Sequence, residues 1–414
     1  MESPRDKDHM ELLADVGGKP GVDCRGFCSY CYFKNVRDFK PFGCRFCSPL
    51  SEGCDYCGRA IAEKYAGFKP LLRVAQDVNA TLKMSSKDPE KVTISGAGDV
   101  SCYPDLLELT ELLACLQVPI HLGYTSGKGF DSPEAADKLV DNNVREVSFT
   151  VFATSAHLRK RYMADPSPEA SLRSLSTFCE SCDVYAAAVI IPGVNDGDVL
   201  RKTCDDLEGM GARGLILMRF ANHAKEGLIL GNAPIIRNVE SQSIESFKEL
   251  VSSINDHYKL RVTGTPLWDP EIGSPFFVAG NPEAYLPRTE KRATVITGAV
   301  AGPYLRSIFR RIAPNVNVVS TEKEIACLIT LEDIQELSLT DMNETVIIPG
   351  RAMVHDKAAT AALRADGVYR IVRRGPEQLT VDGEMSIGLR REEVLAREVA
   401  SFKELIRTID VIGT

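Results

Sequence analysis

The sequence lacks the long apolar segments that membrane-spanning and secreted proteins carry. Across its 414 residues no apolar run approaches the roughly 20 residues that a transmembrane helix needs. The first ten residues are polar and contain no apolar core of the kind found in a signal peptide. We therefore expect a cytoplasmic protein with no membrane partner.

The sequence also has fewer basic than acidic residues. The chain has 49 Lys and Arg against 57 Asp and Glu, which gives a net charge of −8. No stripe of basic residues appears along it, whereas nucleic-acid-binding proteins present clustered basic surfaces. A nucleic acid is therefore not expected among its partners.

Cysteine is abundant but unevenly distributed. Most of the 13 cysteines lie before Cys204, seven of them between Cys24 and Cys57, and only Cys327 lies beyond. Such clustering in a cytosolic-looking chain indicates metal ligation, not disulfide formation. The distribution also excludes a cysteine-ligated auxiliary cluster in the C-terminal third.

The arrangement of apolar runs predicts an α/β protein. From about residue 90, short apolar runs alternate with helical stretches, as in βα units that build a parallel sheet. We predict a partial (β/α)6 TIM-like barrel with an inserted metal loop and a small C-terminal α/β domain. In chain order, the predicted parts are an N-terminal segment with a cluster-binding loop (1–37), a four-cysteine metal loop (38–69), the barrel (70–260), a proline-rich linker (261–292) and the C-terminal domain (293–414).

The linker and the C-terminal domain follow from two further patterns. Four prolines between residues 270 and 287 predict an extended connection without helix. A second alternating series begins after it. Its predicted strands are 293–297, 316–320, 325–331, 345–349 and 369–372.

Three cysteines near the N-terminus carry the most specific signal. Cys24, Cys28 and Cys31 have the spacing C-x3-C-x2-C, so three thiolates can hold three irons of a [4Fe–4S] cluster and leave the fourth open. Electron-transfer clusters normally have four cysteine ligands. A zinc knuckle or a disulfide cluster are the alternatives, although zinc sites prefer paired C-x2-C units. The segment resembles radical S-adenosylmethionine (SAM) enzymes, in which the open iron binds SAM and reductive cleavage releases a 5′-deoxyadenosyl radical.

Two later segments strengthen this resemblance. Gly96, Gly98 and Asp99 stand where family members carry a Gly-Gly-Glu-like turn that binds the methionine amino group, with Asp replacing Glu. Gly193 and Asn195 belong to a PGxND-like segment found after a later barrel strand. By resemblance these five residues are candidate cofactor-binding residues, although an ordinary βα turn explains the first segment equally well.

Further candidates follow from their position on the barrel. Tyr124 ends a predicted strand at the barrel mouth, where ligands collect, and we predict that it contacts the open iron or SAM. The alternative is a buried aromatic residue with a satisfied hydroxyl. Arg159 and Arg161 follow the next strand, where a carboxylate-binding cation is often found, and Arg159 is our candidate for the cofactor. A solvated helix face explains one of the two.

A second cysteine set predicts another metal. Two C-x2-C pairs supply four thiolates, which suit zinc or a mononuclear iron. Four protein ligands close the coordination sphere, so we predict a structural site that holds a loop over the active site. Its ligands would be Cys44, Cys47, Cys54 and Cys57. The isolated pair Cys179 and Cys182 is interpreted as buried thiols.

The combination of segments is more specific than any one of them. Residues 17–21 leading into the first cysteine set, the four-cysteine loop and residues 95–99 together resemble methanogenesis marker protein 10, over the chain from about Met10. That family is a cobalamin-dependent radical SAM enzyme of methanogenic archaea. It methylates the δ-carbon of an arginine in the α-subunit of methyl-coenzyme M reductase. The resemblance implies this protein substrate, an electron donor and cobalamin as a further cofactor.

The C-terminal domain would hold the cobalamin, although its motifs alone indicate only a generic α/β module. The usual Asp-x-His-x-x-Gly motif is absent and His355 is the domain's one histidine. Ligands of such sheets bind at the carboxyl ends of strands, here at Gly298, Leu331 and Gly350. By resemblance, Leu331 would lie against the lower face of cobalt. Core packing is its alternative.

Binding of a substrate arginine requires a carboxylate that can pair with a guanidinium. Asp165, Asp269 and Glu271 are candidates, and Asp165 is our candidate at the catalytic centre. Two other functions stay open at this point. One is a cobalamin-independent radical SAM enzyme that acts on a small molecule or peptide. The other is a non-catalytic iron–sulfur or zinc scaffold.

Overall fold

The computed structural model describes residues 10–38, 40–47, 67–132, 134–266, 268–273 and 275–414. The chain divides into two compact units, which are described separately. Among the described residues, 10–34, 67–218 and 253–262 form the first unit, and the others form the second.

Seven strands form one sheet in sequence order. Neighbouring strands from β1 to β5 are parallel. The strands are β1 (Met10–Gly17), β2 (Pro89–Gly96), β3 (Ile120–Thr125), β4 (Val144–Thr150), β5 (Asp183–Ile190), β6 (Gly214–Arg219) and β7 (Arg261–Thr265).

Helices alternate with these strands along the chain. The helix Pro168–Ser181 begins with a proline at its first position, where a missing N–H costs nothing. The helices are α1 (Leu71–Met84), α2 (Leu106–Ala114), α3 (Glu134–Asp141), α4 (Ala156–Leu158), α5 (Pro168–Ser181), α6 (Gly197–Met210) and α7 (Ile244–His257). A π-helical turn, Arg159–Met163, continues α4, and short 3₁₀ turns lie at Val100–Cys102 and Ala224–Glu226.

The predicted parallel α/β fold is confirmed, but two of its strands were missed. β1 lies inside the segment that was predicted only as a cluster-binding loop. The sequence alternates as a half-buried strand does. Leu12, Ala14 and Val16 are fully buried, while Glu11 and Leu13 are exposed. β7 lies in the predicted linker, which also contains a short helix, so the prediction of an extended linker without helix was wrong. The prolines of that linker interrupt it without preventing short elements between them.

The second unit contains a separate parallel sheet of four strands in the order β11-β10-β8-β9. The strands are β8 (Ala293–Thr297), β9 (Val316–Ser320), β10 (Thr345–Ile348) and β11 (Ile371–Arg374). The remaining helices are α8 (Pro282–Tyr285), α9 (Gly302–Ile312), α10 (Leu331–Gln335), α11 (Asp356–Ala362), α12 (Gly383–Ser386) and α13 (Arg391–Ile412). Two 3₁₀ turns lie at Phe277–Gly280 and Ala326–Leu328.

The strand predicted over 325–331 was wrong. A 3₁₀ turn occupies Ala326–Leu328, and α10 begins at Leu331. The side chain of Asp333 accepts hydrogen bonds from the backbone N–H (2.7 Å) and hydroxyl (3.1 Å) of Thr330. This is a capping box, which starts a helix where the apolar run alone suggests a strand.

The four-stranded sheet has an apolar core on the face that α9 and α13 cover. Val295 and Ile347 contribute from the strands, and Phe309, Phe402 and Ile406 from the two helices, each at most 3% exposed. None of the helices in the described residues is both long and apolar enough to cross a membrane.

Candidate active site

The loop after β1 brings the three N-terminal cysteines together. A backbone hydrogen bond from Gly26 to Gly21 (2.9 Å) and another from Cys31 to Cys28 (3.1 Å) close successive turns of this loop. Burial, together with the neighbouring Cys28 and Cys24, raises the pKa of Cys31 to about 12.

Burial also raises the pKa of Cys24 and of Cys28. The three thiols therefore hold their protons more tightly than free cysteines do, because burial raises the pKa of each. Metal ligands are thiolates, so binding of iron must release a proton from each cysteine. Metal binding at this loop is therefore coupled to pH.

Lys128, in the turn after β3, supplies a buried positive charge beside this loop. It is 2% exposed, and its ammonium donates to the carbonyl oxygens of Gly26 (3.1 Å) and Met163 (3.0 Å). The carbonyl of Met163 also accepts a hydrogen bond from the Cys28 thiol (3.6 Å). Both partners of the ammonium are neutral, so within the described residues no carboxylate neutralises Lys128 at hydrogen-bonding distance.

The donor set fits a [4Fe–4S] cluster with three cysteine ligands. Such a cluster carries a net negative charge, because three thiolates outweigh the charge of the iron–sulfide core. A buried cation is costly unless an anion lies nearby. The uncompensated ammonium of Lys128 is the charge environment that an anionic cluster at these thiols requires.

Asp99 joins the ends of β2 and β3. It is 8% exposed, and one carboxylate oxygen accepts hydrogen bonds from the Ser101 N–H (3.0 Å) and the Thr125 hydroxyl (3.2 Å). The other accepts from the Ser126 hydroxyl, and the Ser126 N–H contributes a further bond (3.2 Å). The predicted contact of Asp99 with SAM stays a prediction. The structure shows a carboxylate that already holds two strand-end loops together.

Gly96 lies where the ends of β1 and β2 approach each other closely. A Cβ on Gly96 would lie 2.4 Å from the carbonyl oxygen of Gly17, and one on Gly18 would lie 2.6 Å from the nitrogen of Gly98. Side chains at these positions would therefore separate β1 from β2. The glycines allow the two strand ends to approach each other, and contact of Gly96 or Gly98 with SAM stays a prediction.

Arg159 and Asp165 are each other's partners. Both side chains are fully buried, with the Arg159 Nε 2.9 Å from the Asp165 carboxylate. The guanidinium also donates to the carbonyl oxygens of Ser126 (2.5 Å) and Val151 (2.8 Å). The expectation that Asp165 holds the substrate arginine is therefore corrected, because its guanidinium partner is the chain's own. The donors of Arg159 bind groups of the chain itself, and its contact with a cofactor stays a prediction.

An aromatic stack covers the cysteine loop from one side. The ring of Tyr30 stacks on Phe152 (4.9 Å between centroids), which in turn stacks on Tyr162 (5.5 Å). The backbone of Tyr162 accepts hydrogen bonds from the N–H (2.7 Å) and hydroxyl (3.2 Å) of Ser29. The π-helical turn thus fixes the segment between Cys28 and Cys31.

Asn195 stabilises the loop after β5. Its amide group donates to the carbonyl oxygens of Phe152 (2.9 Å) and Val189 (2.8 Å), and its side-chain oxygen accepts from the Ile191 N–H (2.8 Å). Asn195 is 1% exposed, so its polar atoms are already used within the chain. The open surroundings of Gly193 leave space at this loop, and contact of either residue with a cofactor stays a prediction.

Tyr124 lies near the end of β3 and is 38% exposed. The register between β3 and β4 shifts between Leu122 and Thr125, so one extra residue bulges out of β3. Bulges re-aim side chains, which explains why simple alternation does not predict the direction of this phenol. Its contact with an iron or SAM stays a prediction.

Comparison with known proteins finds a family for this part of the chain. Residues 19–202 match the model of the radical SAM superfamily. The match includes the three-cysteine loop, β2 to β5, Lys128, and the Arg159–Asp165 pair. This part of the chain is a radical SAM domain, whose fold implies a [4Fe–4S] cluster and SAM as cofactors.

Solved structures of other proteins are similar to this chain at low identity. SuiB from Streptococcus suis, bound to its precursor peptide SuiA, is 11% identical over 67% of this chain and 52% of its own, with a TM-score of 0.43. The chain thus matches about half of the length of SuiB. A radical SAM methyltransferase from Sphaerobacter thermophilus is 15% identical over 64% and 67% of the two chains (TM-score 0.40).

A third similar structure is TsrM, a radical SAM methyltransferase from Kitasatospora setae that contains cobalamin and a [4Fe–4S] cluster. It is 14% identical over 50% of this chain and 36% of its own (TM-score 0.33). At such identities and scores none of these likenesses bears on substrate. No curated protein sequence matches the chain.

The four-cysteine loop lies only partly within the described residues. Cys44 is 3% exposed, and its N–H donates to the Cys47 sulfur (3.3 Å) while the Cys47 N–H donates to the Cys44 carbonyl (3.1 Å). These two hydrogen bonds close the turn between the two cysteines. Cys54 and Cys57 lie outside the described residues, which contain no group of three or more potential ligands arranged around a single metal ion.

The described part of this loop packs within the second unit. A Cβ on Gly43 would lie 2.7 Å from the backbone nitrogen of His355, and Arg45 lies 3.6 Å from Glu377. The first cysteine pair is thus anchored beside the loops that follow β10 and β11. The expectation that this metal loop covers the radical SAM site stays a prediction.

The second unit has a cavity of about 210 Å³ at the carboxyl ends of its strands, where ligands of parallel sheets bind. The loop after β10 contributes Gly350 and Arg351 to its lining, and Arg374 fixes this loop by donating to the carbonyl oxygens of Gly350 (3.1 Å), Ala352 (3.1 Å) and Val354. The loop after β10 therefore wraps around one cation. Its lining includes Thr297, Ile348, Gly350, Arg351, Gly375 and Glu377.

Of the three predicted cobalamin residues, only Gly350 lines this cavity in the described residues. Gly298 lies against the Glu324 carbonyl, 2.4 Å from where a Cβ would be. Leu331 begins α10 and packs on the apolar cluster around Ile329 and Ile334. The expectation that Leu331 ends a strand is therefore corrected, and core packing accounts for its position.

His355 is not placed to ligate cobalt. It is 6% exposed, and its Nδ1 accepts a hydrogen bond from the N–H of Lys357 (3.2 Å) at the start of α11. The residues at the cavity thus offer no histidine nitrogen for a cobalamin. They fit only a cobalamin whose lower face needs no protein nitrogen, and at this volume only part of it.

Of the other two carboxylates considered for a substrate arginine, Asp269 is structural. It is 1% exposed, and its carboxylate accepts hydrogen bonds from the Ser386 hydroxyl (2.5 Å) and the Glu271 N–H (3.1 Å). Glu271 is exposed. It is therefore the one member of the predicted set whose carboxylate reaches solvent.

The sequence interpretation missed two cations, Lys128 and Arg374. Lys128 lies in the turn after β3, and Arg374 is the last residue of β11. The residues predicted at strand ends were mostly glycines. A lysine between two glycines directly after a strand, as in residues 127–129, was the available signal for Lys128. Nothing in the local sequence marks Arg374, because its partners, four carbonyl oxygens and the Asp356 carboxylate, are 18 to 25 residues away.

Proposed function

We propose that this chain is a radical SAM methyltransferase that uses cobalamin to methylate an unactivated sp3 carbon of a protein, the δ-carbon of an arginine in the α-subunit of methyl-coenzyme M reductase. The observation that supports radical chemistry is the three-cysteine loop packed around a buried, uncompensated lysine within a radical SAM domain. The substrate and the use of cobalamin rest on the motif resemblance.

The residues of the domain have separable tasks. Cys24, Cys28 and Cys31 would hold the cluster, and Lys128 compensates its charge. Asp99 and the Arg159–Asp165 pair fix the strand-end loops around it. When bound, the cluster supplies the electron that cleaves SAM, and cobalamin carries the methyl group. The three cysteines are partly buried, which limits the access of water to such reactive chemistry.

The second unit would take the cobalamin. Its cavity lies at strand carboxyl ends, and Arg374 holds the rim in place. The engagement of His355 in capping α11 supports a cobalamin held without a histidine ligand. An external electron donor is a further expected partner, because the domain must be reduced to act.

The central test is anaerobic incubation of the reconstituted protein with SAM, a reductant, methylcobalamin and an arginine-bearing peptide from the proposed substrate. Mass spectrometry should show 5′-deoxyadenosine and a peptide heavier by one methylene group, with the mass gain on the arginine. A matched peptide with lysine at that position is the control.

The same assay separates the alternatives. Peptide modification of equal extent without cobalamin would favour a cobalamin-independent radical SAM enzyme. Absence of 5′-deoxyadenosine from a preparation with a full complement of cluster would favour a non-catalytic scaffold. Either result would overturn the corresponding part of the proposal.

Tyr124→Phe tests the predicted role of this phenol in the reaction. The side chain is 38% exposed, so loss of its hydroxyl should leave the free energy of unfolding within about 0.5 kcal/mol of its original value. We expect SAM cleavage or methyl transfer to fall nonetheless. Unchanged rates of both, measured on protein with equal cluster content, would remove Tyr124 from the site.

A further inference from the structure

Lys128 is the one buried cation of the radical SAM domain whose partners, within the described residues, are only neutral carbonyl oxygens. Arg159, the other fully buried cation nearby, is neutralised by Asp165. Burial of a charge without a counter-charge is costly. The position of Lys128 therefore needs an explanation beyond its two hydrogen bonds.

The hydrogen bonds of the Lys128 ammonium place its charge beside the cysteine loop. The ammonium and the Cys28 thiol share one acceptor, the Met163 carbonyl, at 3.0 and 3.6 Å respectively. The separation of nitrogen and sulfur is thus at most the sum of two hydrogen-bond lengths. The second acceptor, the Gly26 carbonyl, lies in the loop between Cys24 and Cys28.

The backbone of Lys128 holds the same loop from another direction. Arg25 donates to the Lys128 carbonyl (2.9 Å) and forms a two-point ion pair with Asp131 (2.5 and 2.9 Å). Arg25 and Asp131 are exposed, so this pair contributes little free energy. It nevertheless fixes the turn after β3 against the cysteine loop and thereby limits where the ammonium can lie.

We infer that Lys128 is a positioning residue that sets the reduction potential of the cluster by holding a positive charge beside its thiolates. A nearby cation stabilises the more negative, reduced cluster more than the oxidised one, because the Coulomb energy grows with the charge of the partner. Reduction is the step on which SAM cleavage depends. This inference rests on the proposed [4Fe–4S] assignment.

The test compares Lys128→Gln with Lys128→Arg in the full, reconstituted protein. Lys69→Met is the control, since Lys69 lies in the same unit but is paired with Asp15 (3.0 Å) and Asp77 (3.5 Å). Electron paramagnetic resonance during a redox titration gives the midpoint potential, and iron and sulfide analysis gives the cluster content.

We expect Lys128→Gln to lower the ratio of reduced to oxidised cluster about tenfold at a fixed potential, which is about 59 mV for one electron. Lys128→Arg and Lys69→Met should stay close to the unaltered protein. Equal potentials in the Gln and Arg variants, or equal loss of cluster or of folding in both, would show a purely structural role and overturn the inference. Failure of the unaltered protein to bind any cluster would instead refute the proposed function.

Discussion

Replacing Cys28 with alanine is expected to reduce 5′-deoxyadenosine formation below detection while the protein stays folded. Three cysteine ligands hold three irons of a cubic cluster and leave the fourth open. With one cysteine removed, the two that remain are too few to retain the cluster. The thiol donates a weak hydrogen bond to the Met163 carbonyl (3.6 Å) and interacts with the Tyr30 hydroxyl, so its loss should cost about 1 kcal/mol of the free energy of unfolding. Product analysis and iron content, measured together on anaerobically reconstituted protein, check the expectation.

Cys182→Ala is a matched control for this experiment. Cys182 is buried and belongs to a C-x2-C pair with Cys179, and its thiol donates to the Val144 carbonyl (3.3 Å). We expect its replacement to leave iron content and SAM cleavage unchanged. Sustained 5′-deoxyadenosine production by Cys28→Ala, or its loss in Cys182→Ala at full cluster content, would refute the assignment of the cluster ligands.

The sequence predicted the fold where local pattern and tertiary structure agree. The apolar runs at β2 to β6 and at β8 to β10 each form strands, since a strand buried on one or both faces needs such a run. β1 was overlooked because its eight residues stand before the cysteine loop, far in sequence from its neighbour β2. The apolar run at 325–331 was predicted as a strand but does not form one, because the cap formed by Thr330 and Asp333 starts a helix there.

In the candidate site, too, some features could be predicted from the sequence and others could not. Spacing identified Cys24, Cys28 and Cys31, since the ligands of a cluster lie close together in one loop. Pairing of Arg159 with Asp165 was not predicted, although they are six residues apart, because both were judged by what an external ligand would need. A π-helical turn between them brings the two side chains together, and sequence periodicity does not reveal such a turn.

Asp165→Asn is expected to lower the free energy of unfolding by about 3–5 kcal/mol, the usual cost of leaving a buried charge without its partner. The substitution keeps the size of the side chain and removes only its charge, while Arg159 remains fully buried. For a unit of this size the melting temperature should fall by about 10 °C. Thermal denaturation followed by circular dichroism measures the effect.

The pair has consequences beyond stability because the guanidinium also holds the Ser126 carbonyl (2.5 Å). Ser126 in turn binds the Asp99 carboxylate, so a displaced Arg159 would disturb both strand-end loops next to the three-cysteine loop. Arg159→Met combined with Asp165→Leu removes both charges and should cost less than the sum of the two single replacements. If Asp165 instead held the substrate arginine, Asp165→Asn would raise KM for the peptide and leave the melting temperature unchanged, and that result would refute the structural role assigned here.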